Sequence, residues 1–148
     1  MPRPGTHTLT YIDTSVWCAY CFNEPEAPEA VRWLAEAELD RTATAPWTHA
    51  EFASAAGIKR RAKGQSAQAV ARARRAFESA VAMAHSLAVA DDDFLYAAEL
   101  CRSTSVKLRA GDALHLAVAL RHNCGALASL DRDMTDAARH LGLHVTVF

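Results

Sequence analysis

Short apolar runs alternate along the chain with longer stretches of helical period. LTYI (9–12) is apolar and β-rich and ends at Asp13-Thr14-Ser15, which predicts a strand turning into a helix that continues through Phe22. Pro25 and Pro28 mark a break, and Val31, Leu34 and Ala35 then repeat at helical spacing over about 28–38. Thr42 to Ala45 predicts a second strand, stopped by Pro46. Thr48-His49-Ala50-Glu51 fits the S/T-x-x-E capping box and opens a helix to about Ala62, with Gly64 as the break.

A long helix fits 66–85, with Val70, Ala73, Phe77, Ala80, Val81 and Ala84 on one face and Arg72, Arg75 and Ser79 outside it. LAVA (87–90) is a candidate third strand, and Asp91 to Asp93 supply negative charge to the start of a helix reaching about Ser103. Gly111-Asp112 precedes the helical run ALHLAVALRHNC, ended by Gly125. ALASL (126–130) reads as a strand, Asp133 with Asp136 as the cap of a helix closing at Gly142, and HVTVF as a last strand. Strands alternating with helices imply βαβ units. The fold class is therefore α/β, a mostly parallel sheet with helices on both faces.

The 148 residues are enough for one domain, 1–148, with a core that needs no staples. No apolar stretch approaches the ~20 residues of a membrane span. MPRPGTHT lacks the apolar segment of a signal peptide, so a cytoplasmic protein is expected. Cys18 and Cys21 form a C-x-x-C, but no second pair and no histidine pair at finger spacing accompany it. Within VWCAYCF both cysteines read as buried helix, where a thiol behaves as a small hydrophobe. Net charge is −1, yet Lys59, Arg60, Arg61, Lys63, Arg72, Arg74 and Arg75 follow one another with no acid between them. Such a stripe suits a phosphate backbone, and equally a solvated helix face.

The placement of the acids changes the picture most. Asp13 and Asp131 directly follow predicted strands, Glu51 lies in the first turn after the second strand, and Asp112 begins a helix. In an open parallel sheet these positions share the edge at the strand C-termini, where such folds bind ligands. Helix N-termini cannot neutralise four carboxylates held together, whereas a hard divalent cation with oxygen ligands can. Each acid also stands where an ordinary cap or first-turn acid would stand, Asp133 most of all. His115 follows Asp112 by three residues among leucines and is expected to be a packed or surface histidine, outside the catalytic set.

YIDTSVW (11–17), HAEFASAA (49–56), LRAGDALHLAVAL (108–120) and LASLDRDM (127–134) resemble, in order, the four acidic motifs of PIN domains, and most of all those of VapC toxins. The resemblance runs across nearly the whole chain and implies a three-layer α/β/α fold. It implies an endoribonuclease dependent on Mg2+ or Mn2+, leaving a 3′-hydroxyl and a 5′-phosphate on its RNA, and a partner antitoxin that inhibits it. Asp13, Glu51, Asp112 and Asp131 carry over as the metal-site acids, and Asp133 matches an extra acid of some members. Ser129 matches a small hydroxyl residue two before the fourth acid, with Thr14 or Ser15 as supporting hydroxyls. Gly111 stands where Ala is more common, and little consequence is expected. Surfaces around Trp17, Trp33 and Trp47 are candidates for a homodimer face and an antitoxin groove.

Two other classes compete. An aspartyl-phosphate phosphatase would want an acid two residues after Asp13, where Ser15 stands, and no P-loop or G-x-G-x-x-G is present. A catalytically silent PIN-like module for protein interaction or RNA binding would not need all four acids.

Overall fold

The computed structural model describes residues 8–62, 64–103 and 105–148. The N-terminal stretch 1–7 and Lys63 of the basic stripe lie outside the described residues. The elements run β1 (Thr10–Ile12), α1 (Thr14–Phe22), α2 (Pro28–Glu36), a 3-10 turn (Leu39–Arg41), β2 (Thr42–Thr44), α3 (Pro46–Ala62), α4 (Ala67–Val81) and β3 (His85–Ser86). The second half adds α5 (Asp91–Arg102), α6 (Ala110–Arg121), β4 (Ala126–Ala128), α7 (Arg132–His140) and β5 (His144–Val145). All five strands are parallel, in the order β3-β2-β1-β4-β5. The order reverses at β1, so the crevice between β1 and β4 is the switch point of the sheet.

Alternation along the short strands divides the core into two layers. Tyr11 and Leu127 face a cluster containing Ala97 and Leu100 of α5, Leu114, Leu116 and Val118 of α6, and Met134 and Ala138 of α7. Ile12 and Ala128 face the opposite cluster, built from Val16 and Trp17 of α1, Leu34 of α2, Phe52 of α3 and Phe77 of α4. Phe52 stacks on Phe77 at 4.0 Å between ring centres, and Trp17 meets the same ring edge-on at 6.1 Å. The result is an α/β/α sandwich. Trp17 is wholly buried, so it belongs to the core and not to a candidate outer surface. Among the described residues no helix is long and apolar enough to cross a membrane.

Three boundaries differ from those expected, each for a local reason that bears on function. Helix α3 begins at Pro46, two residues before the expected start, because proline suits the first turn of a helix. Thr48 therefore lies inside the helix, its hydroxyl accepting from Thr44 Oγ1 at 2.8 Å, and Glu51 has no capping duty. The third strand is His85–Ser86, not LAVA. In that run Ala88 O accepts from Arg121 Nη2 (2.6 Å) and Ala90 N donates to Asp93 Oδ2 (2.8 Å). Side chains have taken the backbone groups a strand would need, and α4 stops at Val81 so that His85 can pair with Ala43. Finally, α7 is capped by Asp131, whose side chain accepts from Met134 N at 2.9 Å; Asp133 is an exposed first-turn residue and not the cap.

Candidate active site

Chain geometry brings the acids together before any side-chain detail. Asp13 leaves the end of β1 and Asp131 follows β4, neighbours in the sheet, and the backbone N–H of Asp13 still donates to Ala128 O at 2.9 Å. Glu51 reaches the same edge from α3, and Asp112 from the first turn of α6. All four line one open cleft of about 560 Å³, with Thr14, Ser15, Cys18, Glu24, Ile58, Lys59 and Leu130 among the other walls. Asp133 is not part of that lining.

The two oxygens of Asp13 have different surroundings. Oδ2 accepts from Ser15 Oγ (2.7 Å), from Ser129 Oγ (2.9 Å) and from Ser15 N (3.4 Å). Oδ1 lies 3.6 Å from His115 Nε2. One oxygen is thus anchored and the other remains available, although the residue is only 5% exposed. Ser129 links two of the acids, since its hydroxyl also accepts from Asp131 N at 3.0 Å. Ser15 closes the same corner by accepting from Leu130 N at 3.0 Å. Asp131 spends Oδ1 on its cap and retains a second oxygen.

Glu51 is held from behind. Its Oε2 accepts from Thr14 Oγ1 at 2.6 Å and from His115 Nε2 at 2.5 Å. Burial works against its charge, but the hydrogen bonds from His115 and Thr14 outweigh it and keep the carboxyl below its usual range. The opposite shift marks Asp112. Burial, then the charges of Asp131, Asp13 and Glu51, push its carboxyl up to about 6. Like charges are crowded here, and the crowding is expressed at the one of the four acids whose carboxylate accepts no hydrogen bond among the described residues.

His115, expected to be a packed or surface histidine outside the set, is wholly buried and hydrogen-bonded to Glu51. Its Nε2 lies with ligand atoms of Asp13 and Glu51 within 4.8 Å of one another. The signal in the chain was its three-residue spacing from Asp112, which puts both on one helix face. Gly111 also matters more than expected. A Cβ there would lie 2.8 Å from Glu51 Oε1 and 3.4 Å from Trp47 Nε1, so the acid occupies the space an alanine would need.

Among the described residues of the basic stripe, Lys59 alone lines the cleft. It pairs with Glu24 at 2.6 Å, its ammonium 4.9 Å from the centre of the Phe22 ring. Arg72 and Arg75 are solvated on α4, and Arg74 pairs with Glu78. Cys18 and Cys21 are free thiols pushed up to about 12, chiefly by burial, so neither has the thiolate character of a redox or zinc-binding pair.

A parallel α/β/α sandwich thus brings four carboxylates into one cleft at its switch point. The PIN domain family model matches residues 10–140, and the chain belongs to the PIN domain family. The fold is shared with the toxin VapC20 of Mycobacterium tuberculosis, described as cleaving the sarcin-ricin loop, at 22% identity and a TM-score of 0.66, covering 86% of this chain and 94% of that one. It is shared also with FitAcB from Neisseria gonorrhoeae (16% identity, TM-score 0.69, 94% and 97% covered). A toxin–antitoxin complex from Klebsiella pneumoniae is similar at 18% identity and a TM-score of 0.62, with 93% and 96% covered. No curated protein sequence matches the chain.

Proposed function

We propose that this chain is a divalent-metal-dependent endoribonuclease and the toxin of a toxin–antitoxin pair. The observation that carries the reading is the meeting of Asp13, Glu51, Asp112 and Asp131 in one cleft, with Asp13 anchored through a single oxygen. The donor set fits Mg2+ or Mn2+. It consists of oxygens, and Asp112 is pushed up by burial first and then by the neighbouring acids, as in a cluster lacking its counter-charge. Asp13 and Asp112 are the foremost ligands in this reading, with Glu51 and Asp131 beside them and Asp133 outside the set. A divalent cation there supplies charge stabilisation to phosphoryl oxygens and acidifies water at the site.

The chain's own residues do the rest. Ser15 and Ser129 orient Asp13, and Thr14 and His115 keep Glu51 ionised and still. Lys59, the only cation among the cleft-lining residues described, grips a phosphate of the RNA after leaving Glu24. The antitoxin partner is supported by the Klebsiella complex, and α5 exposes Phe94 (54%), Leu95 (66%) and Tyr96 (38%) as apolar surface for a homodimer or for that partner. The test is incubation of total RNA with the purified chain and Mg2+ or Mn2+, beside EDTA and Asp112→Ala. Discrete RNA fragments only with metal and wild type support the reading; equal cutting by Asp112→Ala overturns it.

A further inference from the structure

We infer that Tyr11 and His115 form a buried positioning pair that clamps Glu51 for metal binding, and that His115 is not itself a metal ligand; this rests on the metal-dependent reading above. Both side chains are 0% exposed, one from the middle of β1 and one from α6 a turn beyond Asp112. Burying a phenol and an imidazole is costly unless their polar atoms are satisfied. Here they satisfy each other, Tyr11 Oη lying 2.7 Å from His115 Nδ1. The other ring nitrogen, Nε2, meets Glu51 Oε2 at 2.5 Å.

The direction of this chain follows from what each group can do. An ionised carboxylate only accepts, so the Nε2 bond to Glu51 requires a proton on Nε2. That proton occupies the lone pair a metal would need. A cation on Nε2 would have to replace that proton and break the His115–Glu51 bond, at a ring with no exposed surface. Imidazole is also a poor match for Mg2+, which prefers oxygen. Glu51 Oε1 occupies the space left by the missing Cβ of Gly111. The carboxylate is therefore fixed through Oε2, and Oε1 is left for a cation. Outer partners that orient a ligand typically change affinity or activity by about 10–100-fold when removed.

Tyr11→Phe keeps the buried ring and deletes only the hydroxyl, and His115→Gln keeps a donor toward Glu51 while losing the acceptor for Tyr11. In the metal-free wild type, long-range nitrogen–proton NMR should show the His115 ring protonated at Nε2, with that proton slow to exchange. The signal should shift in Tyr11→Phe. Calorimetry should show Mn2+ affinity about tenfold lower in Tyr11→Phe, with kcat reduced and KM for an RNA oligonucleotide unchanged. Spin-echo spectra of bound Mn2+ should lack imidazole nitrogen coupling. An Nε2 without its proton, a nitrogen coupling in the Mn2+ spectrum, or unaltered Mn2+ affinity and kcat in a folded Tyr11→Phe would each overturn the inference. Wild-type protein that binds Mn2+ but cuts no RNA would count against the ribonuclease reading alone, because the NMR and Mn2+ measurements do not use RNA.

Discussion

Gly111 and Glu51 share one space: a methyl group built on the Gly111 α-carbon would lie 2.8 Å from Glu51 Oε1. The acid is at the end of a flexible side chain, but Thr14 and His115 hold its other oxygen, so it cannot simply move aside. Gly111 lies in the first turn of α6, where alanine alone would be neutral or stabilising by up to about 1 kcal/mol. Gly111→Ala is expected to fold and melt close to wild type while losing roughly tenfold or more in cleavage rate. Paired melting curves and initial rates check this; wild-type rates would show that Glu51 has room to spare.

Asp13→Asn separates charge from scaffold. The amide oxygen can still accept from Ser15 and Ser129, so the corner of the site survives. Cleavage should fall by about 100-fold or more, as loss of a preorganised charge-stabilising group does. The metal-free melting temperature should stay equal or rise, because one repelling charge is gone. Cleavage at wild-type rates in Mg2+ that vanishes in EDTA would mean that Asp13 is dispensable to the metal site.

Asp112 makes stability depend on pH. Its carboxyl is pushed up to about 6 in the fold, by burial first and then by the neighbouring acids, against about 4 in an unfolded chain. A raised folded value favours the protonated form, so this contribution is fully present below about pH 4 and is lost as pH rises through about 6. With EDTA at pH 7.5, Asp112→Asn should be more stable than wild type by about 1 kcal/mol, allowing for solvent at a half-buried group. At pH 4 the advantage should disappear. Denaturant titrations at both values decide it, and an advantage independent of pH would exclude charge repulsion as its source.

Asp131→Asn and Asp133→Asn should part company. Asparagine caps a helix about as well as aspartate, so α7 keeps its start in Asp131→Asn. Removing the charge should weaken Mn2+ stabilisation of the fold and cleavage by about tenfold or more. Asp133 is exposed and outside the cleft lining, and its amide variant should behave as wild type in both. Thermal melts with and without Mn2+ provide the readout, with binding to the native state alone raising the melting point. The same loss in both variants would return Asp133 to the site.

Lys59→Gln should weaken RNA binding and reduce the slope of log affinity against log salt by about 0.7, the share of one phosphate contact on a single strand. Glu24→Gln should do the opposite to affinity, because it frees the lysine from its 2.6 Å partner. Anisotropy titrations at several salt concentrations, on the Asp13→Asn background to prevent cutting, measure both. An unchanged slope in Lys59→Gln would place the phosphate contacts on the solvated arginines of α4.

The sequence by itself determined the class of fold and the ends of strands at which acids stand, because apolar period and strand–turn–helix punctuation are local properties. It marked Asp13, Glu51, Asp112 and Asp131, but each could have been a helix cap and nothing more until β4 took its place beside β1. That pairing joins Ile12 to Ala128 across the chain and is decided by non-local packing. Tertiary structure alone started α3 at Pro46 and so released Glu51 from a capping box that its spacing suggested. It alone brought Tyr11 to His115, 104 residues away in sequence, and closed Gly111 against Glu51. Those contacts arise where burial forces polar groups to find partners, and no window of neighbouring residues contains that demand.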